Sequence, residues 1–439
     1  MQADIIIYIA IIVVIVLGVM ATGTWICFAL FGTGIFALAF LGRGNMQHVL
    51  EGVLFNGIYS YTLVAMPLFI FMGEILINSG CSNSLFKGVR KILNPFPGGM
   101  LHTNIVACSI FAACSGSSTA TTVAIGGVSI PELLKQGYAR SITLGSICAG
   151  GTLGVLIPPS IMMILYGSLT GNSIGKLFIA GVIPGIVLAA MFIIYIAFAC
   201  LKHPEWTPAR TSFGGLKYVK DVISSFADIW PVLLLIFGIM FSIYGGYATP
   251  TEAGAVAVVI ALLLWIFIYK TFTPALFVKV VKETVIVNAQ LMVSIVAARA
   301  LGMALSLLDI PSYLSETISQ LPINRYLIWA LIVVVYIALG CLVDGIDLLI
   351  ISVPVFYPIM VTGLGFDPIW FGVTLTILLE MSLITPPVGF NLYVTHSISG
   401  SKNMMETIRG ALPFVLVMMG SLVVFTAFPI LATYLPSNM

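Results

Sequence analysis

Apolar residues along this chain form runs of roughly 18 or more positions that recur from one end to the other, separated by short polar segments. A helical run of that length crosses the hydrocarbon core of a bilayer, which is about 30 Å thick. The pattern therefore predicts an all-α integral membrane protein with about 11 transmembrane helices. Uninterrupted apolar segments predict helices at residues 4–20, 23–42, 61–79, 178–201, 228–246, 250–270, 284–308 and 411–434.

Two further apolar segments, residues 141–170 and 368–398, are interrupted by adjacent prolines. The first reads GGTLGVLIPPSIMMILYG over residues 150–167, and its Pro158 and Pro159 both lack a backbone N–H. A straight helix over residues 141–170 would be about 45 Å long, which exceeds the thickness of the hydrocarbon core. Because carbonyls freed inside a membrane need a partner, both segments are predicted to be broken helices. Their freed carbonyls are expected to pair with another polar group or with an ion.

The second half of the chain repeats the first. LGVLIPPSIMMILYG at 153–167 is similar to MSLITPPVGFNLYV at 381–394, and the two Pro-Pro pairs are 228 positions apart. CSGSST at 114–119 and LVDGID at 342–347 align at nearly the same offset, as do three further pairs of segments in the same order. Weak matches at one common offset indicate an internal duplication. The predicted organisation is repeat 1 at residues 1–201, a cytoplasmic surface linker at 202–227 and repeat 2 at 228–439.

Basic residues predict that the two repeats have opposite orientations. Residues 98–136 would enter and leave from cytoplasmic flanks, which predicts a re-entrant helical hairpin with SGSST at its tip, whereas residues 320–363 would form a second hairpin from the opposite side with DGID at its tip. Inverted repeats with broken helices are typical of secondary transporters, whose site lies near the midplane. Both termini are predicted to be periplasmic. Most of the 18 Lys and Arg residues fall in five segments that are predicted to be cytoplasmic, at 87–91, 135–140, 202–220, 270–282 and 402–409.

Composition and motifs narrow the function. The chain is 60% hydrophobic and 8% charged, against about 25% charged residues in soluble domains. It contains no G-x-x-x-x-G-K-[ST], no H-E-x-x-H and no C-x-x-C, so neither an ATPase site nor a metal or disulfide framework is predicted. A membrane enzyme is disfavoured because Asp344 and Asp347 lie together on one predicted tip, not on two facing helices. A passive channel stays an alternative, which uptake against a concentration gradient would exclude.

Five segments resemble the large membrane subunit of tripartite ATP-independent periplasmic (TRAP) transporters. They are residues 150–167, GGYATPTEAGAVAV at 245–258, LLEMSLITPPVGFNLYV at 378–394, SGSSTATTVAIGGVSIPELLKQGY at 115–138 and DGIDLLIISVPVFYPIM at 344–360. The resemblance covers nearly the whole chain.

The resemblance implies a permease subunit that is no enzyme and lies in a bacterial or archaeal inner membrane. It implies import of an organic anion, such as sialic acid or a dicarboxylate, driven by two or more Na⁺ ions, with no organic cofactor and no nucleic acid. The implied partners are a small membrane subunit, expected as a separate chain, and a periplasmic binding protein that delivers the substrate. The alternative is a stand-alone sodium-coupled dicarboxylate symporter of related architecture.

An elevator mechanism is also implied, in which one part of the protein moves against another. The predicted moving core comprises the hairpins and broken helices, residues 98–171 and 320–398. The predicted fixed scaffold comprises the helices within residues 4–79 and 228–308 together with the last helix.

The tips and the helix breaks supply the candidate ligands. Hydroxyls and freed carbonyls there can replace the hydration shell of Na⁺, and the N-terminus of a half-helix favours an anion. The predicted sodium ligands are Ser115, Gly116, Gly150, Gly151, Gly154 and Pro158 in the first half, and Asp344, Gly345, Glu380, Thr385, Pro386 and Gly389 in the second. The predicted substrate-binding residues are Ser117, Ser118, Thr119, Pro159, Arg299, Asp347 and Pro387.

Two of these assignments have alternatives of equal or greater weight. Glu380 is equally well interpreted as a structural ion-pair or hydrogen-bonding partner of the helix break. Arg299 could instead form a structural ion pair with an acid such as Glu74 or Asp344, since an arginine at membrane depth needs a partner.

Overall fold

A computed structural model describes residues 2–41, 51–53, 55, 59–208, 215–341 and 343–438 of the chain. That part of the chain is helical and contains no strand, so the all-α membrane fold is confirmed. Eight of its helices are long and apolar enough to cross a bilayer. The total of about 11 spanning helices stays a prediction.

In the first half, each predicted element begins and ends close to its expected position. The helices are α1 (Gln2–Ala21), α2 (Ile26–Phe36, continued by the π-helical Ala37–Leu41), α3 (Ala65–Asn78, preceded by the 3₁₀ turn Tyr61–Val64), α4 (Cys81–Leu93), α5 (Met100–Ser115), α6 (Ser118–Lys135), α7 (Arg140–Leu156), α8 (Ile161–Thr170) and α9 (Ile174–Lys202). Helices α5 and α6 form the first hairpin, and α7 and α8 form the first broken helix.

The second half has the same order of elements. Its helices are α10 (Gly215–Tyr244), α11 (Pro250–Leu263, continued by Leu264–Tyr269), α12 (Pro274–Leu307), α13 (Ile310–Ser319), α14 (Arg325–Gly340), α15 (Gly345–Tyr357, continued by Pro358–Gly363), α16 (Pro368–Leu383), α17 (Phe390–Ser399), α18 (Met404–Ala427) and α19 (Ile430–Ser437). Helices α14 and α15 form the second hairpin, and α16 and α17 form the second broken helix.

Three predicted boundaries are wrong. Helix α10 begins at Gly215, inside the predicted linker 202–227, because a polar first turn extends the helix beyond its apolar part; residues 209–214 of that linker lie outside the described residues. Helix α12 begins at Pro274, where Thr273 caps it by accepting from Leu276 N at 3.2 Å. The last helix, predicted at 411–434, ends at Ala427 and is followed by the separate helix α19.

The turn after the third helix of each half supports the duplication. Gly80, between α3 and α4, has φ 83°, and Asp309, between α12 and α13, has φ 55°. These left-handed residues are 229 positions apart, close to the offset of the two Pro-Pro pairs. Glycine adopts this conformation freely and aspartate tolerates it, so both halves make the same chain reversal with different residues.

The hairpins and broken helices pack together as a central unit. Helix α7 packs most extensively against α5, α6 and α18, and α17 packs against α6. Helices α2, α3, α11 and α12 pack mainly on one another. Helix α18 packs mainly against α7, α9, α16 and α17. Its assignment to the scaffold is therefore corrected, and it belongs with the central unit.

Candidate functional site

The first tip is a tight turn between α5 and α6. Helix α5 ends at Ser115, and Gly116 reverses the chain with φ 60°. Ser117 then caps α6, since its side chain accepts a hydrogen bond from Ala120 N at 3.4 Å. The polar sequence SGSST forms the tip because glycine permits the turn and serine satisfies a free N–H at the start of the next helix.

The first tip lies directly against the first helix break. The backbone N–H of Ile161 donates to the carbonyl of Gly116 at 3.3 Å. A Cβ on Gly116 would lie 2.8 Å from the carbonyl oxygen of Pro159. The predicted opposition of tip and break is therefore seen in the structure, and only glycine leaves room for it at residue 116.

A cluster of oxygen atoms occupies the contact between tip and break. Ser115 Oγ is 2.7 Å from Thr121 Oγ1, and Thr121 Oγ1 donates to the carbonyl of Ser117 at 2.8 Å. A Cβ on Gly154 would stand 2.6 Å from that carbonyl and 2.8 Å from Thr121 Oγ1. Thr121 was not predicted as a site residue, although it lies one helical turn after Ser117 on the same face.

The second tip repeats this arrangement with an acidic residue. Asp344 caps α15 by accepting from Ile346 N at 3.2 Å, and the carbonyl of Cys341 accepts from Val388 N in the second break at 3.3 Å. A Cβ on Gly345 would lie 3.3 Å from the carbonyl of Leu379. The second tip is therefore held against its own helix break in the same way as the first.

Each break also frees a carbonyl at an equivalent position. In a regular helix, the carbonyl of residue i accepts from the N–H of residue i+4, and Pro159 and Pro387 have no N–H to give. The carbonyls of Val155 and Leu383 therefore lose their helical donor. These two residues are 228 positions apart, and both line one cavity of about 140 Å³.

This central cavity is where the two tips and the two breaks meet. Ser117, Ser118 and Thr119 line it from the first tip, and Asp344 lines it from the second. The starts of four helices, α6, α8, α15 and α17, face it, together with the last turns of α7 and α16. Helix N-termini carry partial positive charge, and here they surround a lining that also contains the carboxylate of Asp344.

Two larger cavities adjoin the central one and separate it from helices outside the central unit. One of about 440 Å³ is lined by Glu74 on α3, by Lys279 and Glu283 on α12, and by Ser115. The other, of about 630 Å³, is lined by residues of α2 and α12 and by Asp344 and Asp347. Ser117, Thr119 and Ile161 line all three cavities, which therefore form one cleft around the first tip.

Gly150 and Gly151 are among the predicted sodium ligands that do not line this cleft. Gly150 and Gly151 lie within α7, where carbonyls take part in the regular helical hydrogen-bond pattern. A Cβ on Gly150 would meet Cys108 Sγ at 2.9 Å, and one on Gly151 would meet Thr122 Oγ1. The structure therefore gives both glycines a packing role, which lets the first hairpin approach α7.

Glu380 is fully buried in α16 and does not line the three described cavities. Its carboxyl approaches the peptide groups of Val155 and Leu156 at the first break, although neither oxygen forms a complete hydrogen bond within the described part of the chain. This placement agrees with the structural interpretation of Glu380 rather than with a sodium ligand at the second tip.

Arg299 lies on α12 beside the end of α8. Its Nη2 is 3.5 Å from the carbonyl of Ser168 and 3.4 Å from the hydroxyl of the same residue. The described cavities around the tips are lined by α12 residues no closer to Arg299 than Ser294. The structure thus connects Arg299 with the first broken helix, and its assignment to the substrate stays a prediction.

The remaining predicted ligands lie in the second break. Thr385 Oγ1 donates to the carbonyl of Met381 at 2.7 Å, which leaves its lone pairs available to a cation. Pro386 and Pro387 separate α16 from α17, and Gly389 precedes α17 as its N-cap residue with φ 48°. A Cβ on Gly389 would lie 2.9 Å from the carbonyl of Thr385.

Gly154→Ala is expected to abolish uptake while leaving the fold largely intact. The added Cβ would press on the carbonyl of Ser117 and on Thr121 Oγ1 and displace the first tip from the break. Initial uptake rates of the purified variant in proteoliposomes measure the effect. Gly127→Ala is the control, because a Cβ there meets nothing within 4 Å. Equal rates for the two variants would show that the close contact at Gly154 is not needed.

Comparisons with known proteins show the family to which this chain is similar. Residues 12–431 match the family model of the DctM component of tripartite ATP-independent periplasmic transporters. The chain is 34% identical to the C4-dicarboxylate TRAP transporter large permease protein of Vibrio cholerae serotype O1, over 98% of this chain and 97% of that protein. It is 29% identical to the ectoine TRAP transporter large permease protein of Halomonas elongata, over 91% and 92%.

A solved structure shares the fold. The crystal structure of the YdaH transporter of Alcanivorax borkumensis matches with a TM-score of 0.64, covering 92% of this chain and 98% of that one at 13% sequence identity. At such low identity the match concerns the architecture only.

Proposed function

This chain belongs to the DctM component family of TRAP transporters, and we propose that it imports an organic anion driven by a sodium gradient. As a member of that family it is a multi-pass inner-membrane permease subunit and not an enzyme. TRAP large permeases work with a small membrane subunit and a periplasmic binding protein. We propose that this chain does the same, and that the binding protein delivers the substrate.

The central cavity is the observation that supports an anionic substrate. Four helix N-termini face it, and Ser117, Ser118 and Thr119 add hydroxyl donors. Discontinuous helices in transporters commonly bind anionic groups in this way. The relatives described above are named for a C4-dicarboxylate and for ectoine, both of which carry carboxylate groups, and neither is named for sialic acid.

Sodium is proposed as the coupling ion, with one site at each tip. The first site would use Ser115 Oγ, Thr121 Oγ1 and the carbonyl of Ser117, and the second would use Asp344 and Thr385. Such neutral oxygens with a single carboxylate suit a hard monovalent cation. The described residues hold no group of three or more His, Cys, Asp or Glu that would suit a transition metal.

The elevator mechanism is proposed from the position of the cleft. Both larger cavities lie between the central unit and the helices α2, α3 and α12. A cleft at this boundary fits a movement in which the central unit carries the anion and the ions past a fixed frame. The periplasmic position of both termini is proposed from the distribution of Lys and Arg alone.

Uptake into proteoliposomes tests the proposal. The vesicles would contain this chain with its small membrane subunit, and a periplasmic binding protein would be loaded with radiolabelled substrate. We expect accumulation above the outside concentration with an inward sodium gradient and none with an equal potassium gradient.

Two outcomes would redirect the assignment. Accumulation without the binding protein would favour the stand-alone sodium-coupled symporter. Equilibration without accumulation under any ion gradient would favour the passive channel.

A further inference from the structure

The cavity of about 630 Å³ contains an acidic group that the proposed sodium sites do not use. Asp347 lies in the first turn of α15 and lines this cavity, but it does not line the central cavity that Asp344 enters. An acid in the first turn of a helix can simply stabilise that helix. Glu252 does so on α11, where its carboxylate accepts from Thr249 N at 2.8 Å.

Asp347 differs from Glu252 in what surrounds it. No hydrogen bond to its carboxylate is found among the described residues, and the side chain lines the wide cavity. The same cavity is lined by Gln290 and Ser294, which are one turn apart on α12, and by the aromatic residues Trp25 and Phe28 at the start of α2. The lining therefore combines Asp347 with aromatic surface and two hydrogen-bonding side chains.

We propose that the substrate is a zwitterion, an acid whose far end carries an ammonium or amidinium group that binds Asp347. This inference depends on the proposed anion site. The acidic end would lie at the helix N-termini of the central cavity, and the cationic end would extend into the larger cavity. Trp25 and Phe28 favour such a cation, because aromatic faces attract ammonium-type groups.

The charge distribution disfavours a dicarboxylate in the same position. No Lys or Arg lines the 630 Å³ cavity among the described residues, and Lys279 lines the other large cavity with Glu283. A second carboxylate in this cavity would meet the carboxylates of Asp344 and Asp347, and like charges placed together repel one another.

An additional metal ion at Asp347 is the competing interpretation. A metal site requires several ligands converging at bonding distance, whereas Gln290 and Ser294 belong to a different helix from Asp347 and line a cavity large enough for an organic molecule. The described residues also contain no cluster of three or more acidic or metal-binding side chains. The surroundings therefore favour the far end of a substrate.

Ligand binding to the full-length chain in lipid nanodiscs tests the inference. The probes are matched pairs in which an ammonium group replaces one carboxylate of a dianion. 3-Aminopropanoate is paired with succinate, and 4-aminobutanoate is paired with glutarate. The cyclic zwitterion ectoine is a further probe. Thermal stabilisation would be measured in sodium and in potassium chloride. We expect a zwitterion to bind in sodium at least about tenfold more tightly than its dianionic partner.

Asp347→Asn is expected to remove this discrimination, and Asp309→Asn, at an exposed turn, is the control that keeps it. Binding confined to dianions, or discrimination that survives in Asp347→Asn, would overturn the inference. If Asp347→Asn needed more sodium for binding but kept the same ligand preference, Asp347 would be an ion ligand, and the inference would be overturned as well. Sodium-dependent binding of no probe would count against the anion site itself, and the inference would fall with it.

Discussion

Replacing Asp344 with asparagine is expected to raise the sodium concentration for half-maximal uptake at least about tenfold, which corresponds to about 1.4 kcal/mol of ion binding. Asp344 lines the central cavity at the second tip and would supply the negative charge of the second sodium site. Asparagine is as good a helix N-cap as aspartate, so the bond to Ile346 N can be kept while the charge is removed. Initial uptake rates against sodium concentration measure the shift.

Asp367→Asn is the matched control for this prediction. Asp367 also caps a helix, α16, by accepting from Ile369 N and Trp370 N, both at 2.8 Å. It does not line the described cavities around the tips. If the two variants show the same sodium dependence as the original protein, the charge of Asp344 takes no part in sodium binding.

Gly410→Ala is expected to prevent stable folding. Helices α7 and α18 approach so closely that a Cβ on Gly410 would overlap the carbonyl oxygen of Ser141 and lie 3.1 Å from the backbone nitrogen of Gly145. Overpacking typically costs about 1–3 kcal/mol and occasionally more. Here the opposing atoms are backbone and cannot rotate away, which places the cost at or above the upper end. Melting temperature and monodispersity in detergent measure it.

Gly420→Ala in the same helix is the matched control. Its Cβ would meet only Met191 Cε, at an ordinary 3.8 Å, and alanine has a better helix propensity than glycine. We expect this variant to be as stable as the original protein or slightly more stable. A Gly410→Ala protein that melts at the same temperature would show that α7 and α18 can separate without loss of the fold.

Much of the fold could be predicted from the sequence because the lipid bilayer imposes strict requirements on the sequences of the helices that cross it. Spanning helices must be long and apolar, and adjacent prolines must interrupt them, so the broken helices at Pro158 and Pro386 were predicted closely. The errors fall where those requirements are weak. Helix α10 starts at Gly215 in a polar segment, where hydropathy does not distinguish a surface helix from a linker.

The candidate site was predicted in part. Ser115, Gly116, Ser117 and Asp344 were predicted because polar residues between apolar half-helices have few other uses in a membrane. Thr121 was missed because it lies inside a helix, although its spacing from Ser117 could have revealed it. Gln290 and Ser294 could not have been found this way, since they line the cleft from α12, which lies more than 150 positions after the first tip.

Local chemistry and the offset between similar segments determined the class of protein, the duplication, the hairpins and the helix breaks. Packing between distant segments decided which polar groups meet. It placed Gly150 and Gly151 against the first hairpin, brought Glu380 to the opposite repeat, joined α18 to the central unit and opened the cavity at Asp347. The physical reason is that periodicity and propensity act within one helix, whereas a binding site depends on how several helices fit together.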